Sequence, residues 1–316
     1  MGVKLLSTLL KSFCPRAIKN VHLSQLSGKK ICIDTSIYLY RFKAQECLLE
    51  KFYLMCSLFK YYNIIPIFIF DGKPPPEKYN EIKNRRIKRE QNKLEYYKLL
   101  EQFGNNITQK QEKILKRMKR NFTHITRNDI LNVKDLLDGY GIKYIDAKGE
   151  ADILCASLVL KKKVSAVLTE DMDLFVYGCP YVLRYLSLSN HNCLEYDLNS
   201  ILKTLSINLS NFQYICILAG TDYNISKKNI FYYFNLYKKF IEENIKKDIK
   251  NLNFINWVIS NENIKKSTIE QIEKILNIYK KVIDELNNYK YFPIRYGIID
   301  KKKLYNILKQ ERFVFL

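Results

Sequence analysis

The hydrophobic positions change period several times along the chain. Val3, Leu6, Leu9, Leu10 and Phe13 recur at helical spacing and predict a short amphipathic helix. Residues 30–33 form an apolar run that predicts a buried strand, and 38–62 follow with the spacing of one long helix. IIPIFIF at 64–70 predicts a second buried strand, which DGKPPP at 71–76 ends because consecutive prolines lack the N–H a ladder needs. From 77 to 127 the apolar positions are too sparse to pack a helix, which predicts an arm in solvent, broken into two helices at Gly104-Asn105-Asn106. The alternation then resumes with a helix over 130–140, a strand over 142–145, an apolar helix from 151, and strands over 165–170 and 181–186. From about 198 the pattern is helical. Strands alternating with helices imply an α/β fold: a mostly parallel central sheet flanked by helices, with a helical arch inserted and a helical C-terminal region. The expected organisation is a core over 1–226, carrying the arch over 72–130, with 227–316 packed on that core.

Charge sharpens this picture. The 316 residues are 47% hydrophobic, which excludes a disordered chain or a stapled mini-protein, and 53 Lys and Arg against 32 Asp and Glu give +21. The arm from 77 to 127 is basic, holding 15 Lys and Arg against 6 Asp and Glu. Such an excess points to a polyanionic partner. A membrane is not expected, since the longest apolar run, 64–70, is far below the ~20 residues of a spanning helix. MGVKLLSTLL begins like a myristoylation site but has Leu6 where Ser or Thr is needed, and it lacks a signal-peptide apolar region. The eight cysteines (Cys14, Cys32, Cys47, Cys56, Cys155, Cys179, Cys193 and Cys216) form no CxxC pair and lie mostly in apolar segments. They read as buried thiols of an intracellular protein, and three histidines make a zinc site improbable. Abundant Lys, Ile, Asn and Tyr reflect AT-rich coding, as a virus or reduced genome would give.

The acids carry the chemistry. Asp34 ends the strand ICI, Asp71 ends IFIF, and Asp171 and Asp173 follow AVLTE. Glu150 and Asp152 sit where IKYI passes into a helix, and Asp222 follows YICILAG. The carboxyl ends of parallel strands share one rim, where ligands bind, so these seven acids are expected on one patch. Their repulsion demands a cation, and an oxygen-only ligand set suits Mg²⁺ or Mn²⁺. Two such ions can activate a water and stabilise the leaving oxygen of a phosphodiester. Each acid taken alone also has an ordinary role. Asp34 reads as a helix N-cap, Asp71-Gly72 as a turn, Glu150 and Asp152 as complements to a helix dipole, and Asp222 as a cap.

Read in order, MGV, ICIDTSIYLY at 31–40, FIFDGKPPPEK at 68–78, GEADILCASL at 149–158, TEDMDLFVYG at 169–178 and LAGTDY at 218–223 resemble the flap endonuclease family of structure-specific 5′ nucleases. The resemblance covers residues 1–225 and implies a two-metal phosphodiesterase acting where duplex DNA meets a 5′ single-stranded flap. It places Asp34, Asp71, Glu150 and Asp152 at one ion and Asp171, Asp173 and Asp222 at the other, with Asp152 shared. It also places Lys78 and Arg85 over the scissile phosphate, Tyr40 on a nucleobase, and Gly2 beside the DNA junction. Asp152 departs from the family, which carries Glu there. Lys78, Arg85, Arg89 and Lys93 fall on one helical stripe about 22 Å long, suited to a phosphate backbone. RRIKRE at 85–90 also has the composition of a nuclear localisation signal.

After Asp222 the family's glycine-containing hairpin is replaced by NISKKN at 224–229, which puts cation binding there in doubt and leaves Lys227 and Lys228 to touch phosphates. The aromatics of QERFVFL, from Gln310, are not placed for a sliding clamp, so clamp binding is not expected. The expected protein is an intracellular monomer, in the nucleus or at a cytoplasmic replication site, acting on branched or flapped DNA with a 5′ single strand. A junction resolvase, a protein that is chiefly a 5′ exonuclease, and a non-catalytic DNA-structure-binding factor remain open alternatives.

Overall fold

A computed structural model describes residues 2–104, 107–247, 253–262, 266–290 and 292–310. In chain order the elements begin with α1 (Leu6–Phe13), β1 (Ile18–His22), β2 (Lys30–Asp34), α2 (Thr35–Lys43), α3 (Leu48–Tyr61) and β3 (Ile65–Phe70). There follow α4 (Tyr79–Phe103), α5 (Gln109–Lys119), α6 (Arg127–Gly139), β4 (Lys143–Asp146), α7 (Ala151–Leu160), β5 (Ala166–Leu168) and α8 (Asp173–Val176). The chain continues with β6 (Tyr181–Ser187), β7 (Asn192–Asp197), α9 (Leu198–Leu205), α10 (Leu209–Ala219), α11 (Ile230–Lys247), α12 (Phe254–Asn261), α13 (Lys266–Lys281) and α14 (Lys301–Gln310). No described helix is long and apolar enough to cross a membrane.

The chain divides into two compact units. The first comprises Met1–Ile33 and Asp152–Phe292. Its strands lie in the order β1-β7-β6-β5-β2. β2 pairs with β5 and β5 with β6 in parallel, and β7 is antiparallel to both β6 and β1. Ile31, Cys32, Ile33, Val167, Val182 and Leu183 are fully buried, the continuous apolar run that a covered parallel strand requires. α10 is buried along most of its length, from Phe212 to Ala219. α13 turns a stripe of Ile272, Ile275, Leu276 and Tyr279 inward. The antiparallel neighbours β1 and β7 were not expected from the sequence. β1 buries one residue in five, so its pairing with β7 (Val21 opposite Cys193) leaves too little apolar periodicity to read.

The second unit comprises Asp34–Ala151 and Pro293–Leu316. β3 and β4 pair in parallel, with Ile67, Phe68 and Ile69 fully buried. The helix expected over 38–62 is two helices, α2 and α3, separated by residues 44–47 with Glu46 at φ 59°. Phe42 and Leu49 are both buried, and a spacing of seven keeps the apolar phase across the break, which hides it. The basic arm is two helices, α4 and α5, as expected; residues 105–106 lie outside the described ones.

The C-terminal segment returns to the second unit. Gly297 donates its amide to the Gly141 carbonyl at 2.6 Å, Asp300 donates to Gly139 at 2.8 Å, and the Tyr296 hydroxyl donates to Ile64 O at 2.8 Å. Gly141 has φ 65°, and a Cβ there would fall 2.6 Å from the Gly297 carbonyl carbon. Gly141→Val is therefore expected to destabilise the protein by about 2–4 kcal/mol, through left-handed strain and a lost strap contact. A thermal melt checks this, since an unchanged Tm would mean the strap contributes nothing.

Candidate active site

In the first unit three separated motifs meet around one glycine. β5 ends at Leu168, and the Oγ1 of Thr169 just after it accepts the Asp171 amide at 3.0 Å, while Asp171 Oδ1 accepts the Asp173 amide at 3.0 Å. The loop thus fixes both acids through its own backbone. Gly2, at φ 72°, lies against them: a Cβ there would stand 2.3 Å from Asp171 Oδ1 and 2.5 Å from Asp173 Oδ1. Its amide donates to Asp222 Oδ1 at 3.2 Å. Asp222 sits in a tight turn after α10, where Asn224 Oδ1 accepts from the Thr221 amide and hydroxyl and Asn224 Nδ2 donates to Ile217 O.

An aromatic cluster backs these acids. The Tyr279 hydroxyl donates to Asp173 Oδ2 at 3.1 Å, and its ring lies 4.8 Å from Tyr177 and 5.8 Å from Tyr223. Burial, with nearby carboxylates, pushes the Tyr177 and Tyr279 phenols well above their ordinary value, so both remain hydrogen-bond donors. Asp152 belongs to this neighbourhood, since its charge contributes to the rise at Tyr177. It is buried and accepts the Ile153 amide at 2.8 Å.

The second unit holds the remaining acids. Asp34 is buried at the N-cap position of α2, yet its side chain makes no capping bond, so capping does not account for it. Asp71 Oδ1 accepts the Ala151 amide at 2.8 Å, and Asp71 Oδ2 accepts from the Ser36 hydroxyl. Gly72 donates to Gly149 O at 2.7 Å, and a Cβ on Gly72 would fall 2.0 Å from Ala147 O. DGKPPP and GEAD are thereby locked side by side. Glu150 is bridged by Lys78 at 2.7 Å.

Lys78 departs from the sequence reading. It lies in a turn before α4, 5% exposed against Glu150, and not on the helical stripe of Arg85, Arg89 and Lys93, of which Arg85 and Lys93 are exposed and Arg89 half-buried. Prolines at 74–76 set that turn and delay the helix to Tyr79. Tyr38 is fully buried, whereas Tyr40 is 44% exposed and presents its ring to solvent. Lys227 is exposed, and Lys228 pairs with Glu262 at 2.7 Å while its ammonium sits 3.8 Å over the Tyr232 ring. The QERFVFL aromatics lie outside the described residues.

The donor set fits a hard divalent cation. It is oxygen-only, Asp152, Asp171 and Asp173 are buried, and a side chain at residue 2 would crowd Asp171 and Asp173. Among the described residues no group of three or more His, Cys, Asp or Glu side chains is gathered tightly enough to hold a metal ion. All eight cysteines are free thiols, and Cys47 alone is not fully buried.

Two contributors escape sequence reasoning. Tyr279 sits on an apolar helical stripe and reads as core. Arg184 reads as a polar residue in a strand, but it is 4% exposed and donates to Glu170 O at 2.8 Å, bracing the loop that carries Asp171.

The XPG N-terminal domain matches residues 1–92 and the XPG I-region matches residues 141–222. Flap endonuclease 1 of Homo sapiens is 33% identical over 250 residues, 73% of this chain and 63% of that protein. The chain thus spans just under two thirds of the length of the curated relatives it matches. The catalytic core of Rad2 in complex with DNA substrate superposes with a TM-score of 0.66 at 21% identity, covering 98% of this chain and 95% of that one. The Holliday junction-resolving enzyme GEN1, in complex with product DNA and a Mg²⁺ ion, gives a TM-score of 0.59 at 17% identity, covering 96% and 72%. These two structures share the mostly parallel α/β fold.

Proposed function

The chain belongs to the XPG and flap endonuclease family of nucleases, and on that premise we propose that it is a metal-dependent, structure-specific 5′ flap endonuclease with 5′–3′ exonuclease activity. It hydrolyses DNA phosphodiesters in replication, repair or recombination. Its substrate is branched or flapped DNA with a 5′ single strand, and it acts as an intracellular monomer. The observation that carries this reading is the meeting of Asp171, Asp173 and Asp222 around the backbone of Gly2.

Asp171, Asp173 and Asp222 hold one divalent ion, and Asp34, Asp71, Glu150 and Asp152 the other. Bound Mg²⁺, or Mn²⁺ in its place, supplies water activation and neutralises charge on the leaving oxygen. Lys78 pairs with Glu150 and, with Arg85, offers positive charge to the scissile phosphate. The exposed Tyr40 ring stacks on a base without regard to sequence, as a structure-reading enzyme requires. Arg89, Lys93, Lys227 and Lys228 follow the phosphate backbone.

The test compares 5′ flap, recessed 5′ end, bubble and four-way-junction DNA at fixed salt with Mg²⁺. Preferential cutting of the flap supports the reading. Preference for the four-way junction replaces it with resolvase activity, and binding without cutting replaces it with a non-catalytic role. A companion experiment separates chemistry from docking. Lys78→Ala and Arg85→Ala are each expected to slow cleavage by about 10²-fold, as loss of transition-state charge stabilisation does. Neutralising Lys113 and Lys116 together is expected instead to reduce the slope of log affinity against log salt by about 1–2. Equal small effects from both pairs would make the arm mere solvated surface.

A further inference from the structure

We propose that Tyr279 is a positioning residue for the acid loop, fixing Asp173 so that one carboxylate oxygen faces the Gly2 side. The inference rests on the reading of Asp171, Asp173 and Asp222 as ligands of a divalent ion. The geometry divides the two oxygens of Asp173 between different tasks. Oδ2 is held by the Tyr279 hydroxyl at 3.1 Å, while Oδ1 is the atom that a Cβ on Gly2 would approach to 2.5 Å. A carboxylate gripped at one oxygen cannot turn freely about its terminal torsion, so the other oxygen keeps its direction.

The packing explains why a residue so distant in sequence holds this post. Tyr279 ends the buried stripe of α13, is 1% exposed, and its hydroxyl reaches across to α8. Its ring contacts Tyr177, one turn beyond Asp173, and Tyr223, next to Asp222. The Tyr177 and Tyr223 hydroxyls lie 3.4 Å apart. One side chain therefore packs on both motifs that carry acids of this group. The helical region beyond residue 225, where the motif resemblance ends, takes part in setting the acids.

Tyr279→Phe keeps the ring and removes only the hydroxyl. Mn²⁺ alone, titrated by electron paramagnetic resonance without DNA, reads the site directly. The expected result is Mn²⁺ binding about tenfold weaker than wild type, the usual size of a lost outer-shell bond. DNA affinity without divalent ions is unchanged. In an Asp173→Asn background the same substitution adds no further loss, because its target carboxylate is gone. Unchanged Mn²⁺ affinity in Tyr279→Phe, or an equal loss in the Asp173→Asn background, overturns the proposal. Asp171→Asn separates the two levels. If it binds Mn²⁺ like wild type, the ligand reading fails and the positioning role with it. If it loses the ion while Tyr279→Phe does not, only the positioning role fails.

Discussion

Asp171→Asn is expected to slow DNA cleavage by about 10³-fold or more while leaving DNA binding equal or tighter. Asn has the same size, and its side-chain oxygen can still accept the Asp173 amide that Asp171 Oδ1 accepts at 3.0 Å. The loop therefore keeps its shape, and what disappears is one unit of negative charge among buried acids. On the proposed function, that charge serves to hold a divalent ion. For binding DNA it is a liability, because a carboxylate beside a phosphate repels it. Single-turnover cleavage and binding without divalent ions, measured on the same flap substrate, check both halves. Cleavage within tenfold of wild type would show that Asp171 holds no metal.

Gly2→Ala is expected to cost about 10²-fold in cleavage, the penalty of displacing reacting groups by roughly 1 Å. The added Cβ would stand 2.3 Å from Asp171 Oδ1 and 2.5 Å from Asp173 Oδ1, so either the acids move or residue 2 retreats. Retreat would break its amide bond to Asp222. Gly28 supplies the control. It has φ 74°, nearly the φ 72° of Gly2, but a Cβ there meets nothing within 4 Å. Gly28→Ala thus carries the same left-handed strain, of order 1 kcal/mol, without the crowding. Gly28→Ala should cleave like wild type, and equal losses in both variants would trace the effect to backbone strain.

Much of this was legible in the sequence because the acids interrupt apolar strands. A charge directly after ICI or IFIF has no reason to be there unless something uses it, and the structure leaves Asp34 without the capping role that was its plainest alternative. The pattern was silent where packing decides. Tyr279 shares a stripe with Ile272, Ile275 and Leu276, and nothing in that spacing separates a core ring from one whose hydroxyl reaches Asp173. Lys78 fell in phase with Arg85 and Arg89, yet the prolines before it hold it in a turn against Glu150. The break between α2 and α3 preserved the hydrophobic phase, and residues 44–47 contain neither Gly nor Pro to mark it. β1 acquires its structure by pairing with β7, and a short polar strand of that kind has little periodicity of its own.

The assignment of these acids to metal-dependent phosphodiester hydrolysis is tested most directly by mixing the wild-type protein with 5′-end-labelled flap DNA under single-turnover conditions. Mg²⁺ or EDTA is then the sole variable. The expected result is cleavage near the base of the flap in Mg²⁺ and none in EDTA, with DNA bound in both. Cleavage that persists in EDTA, or bound DNA left intact in Mg²⁺, would contradict it.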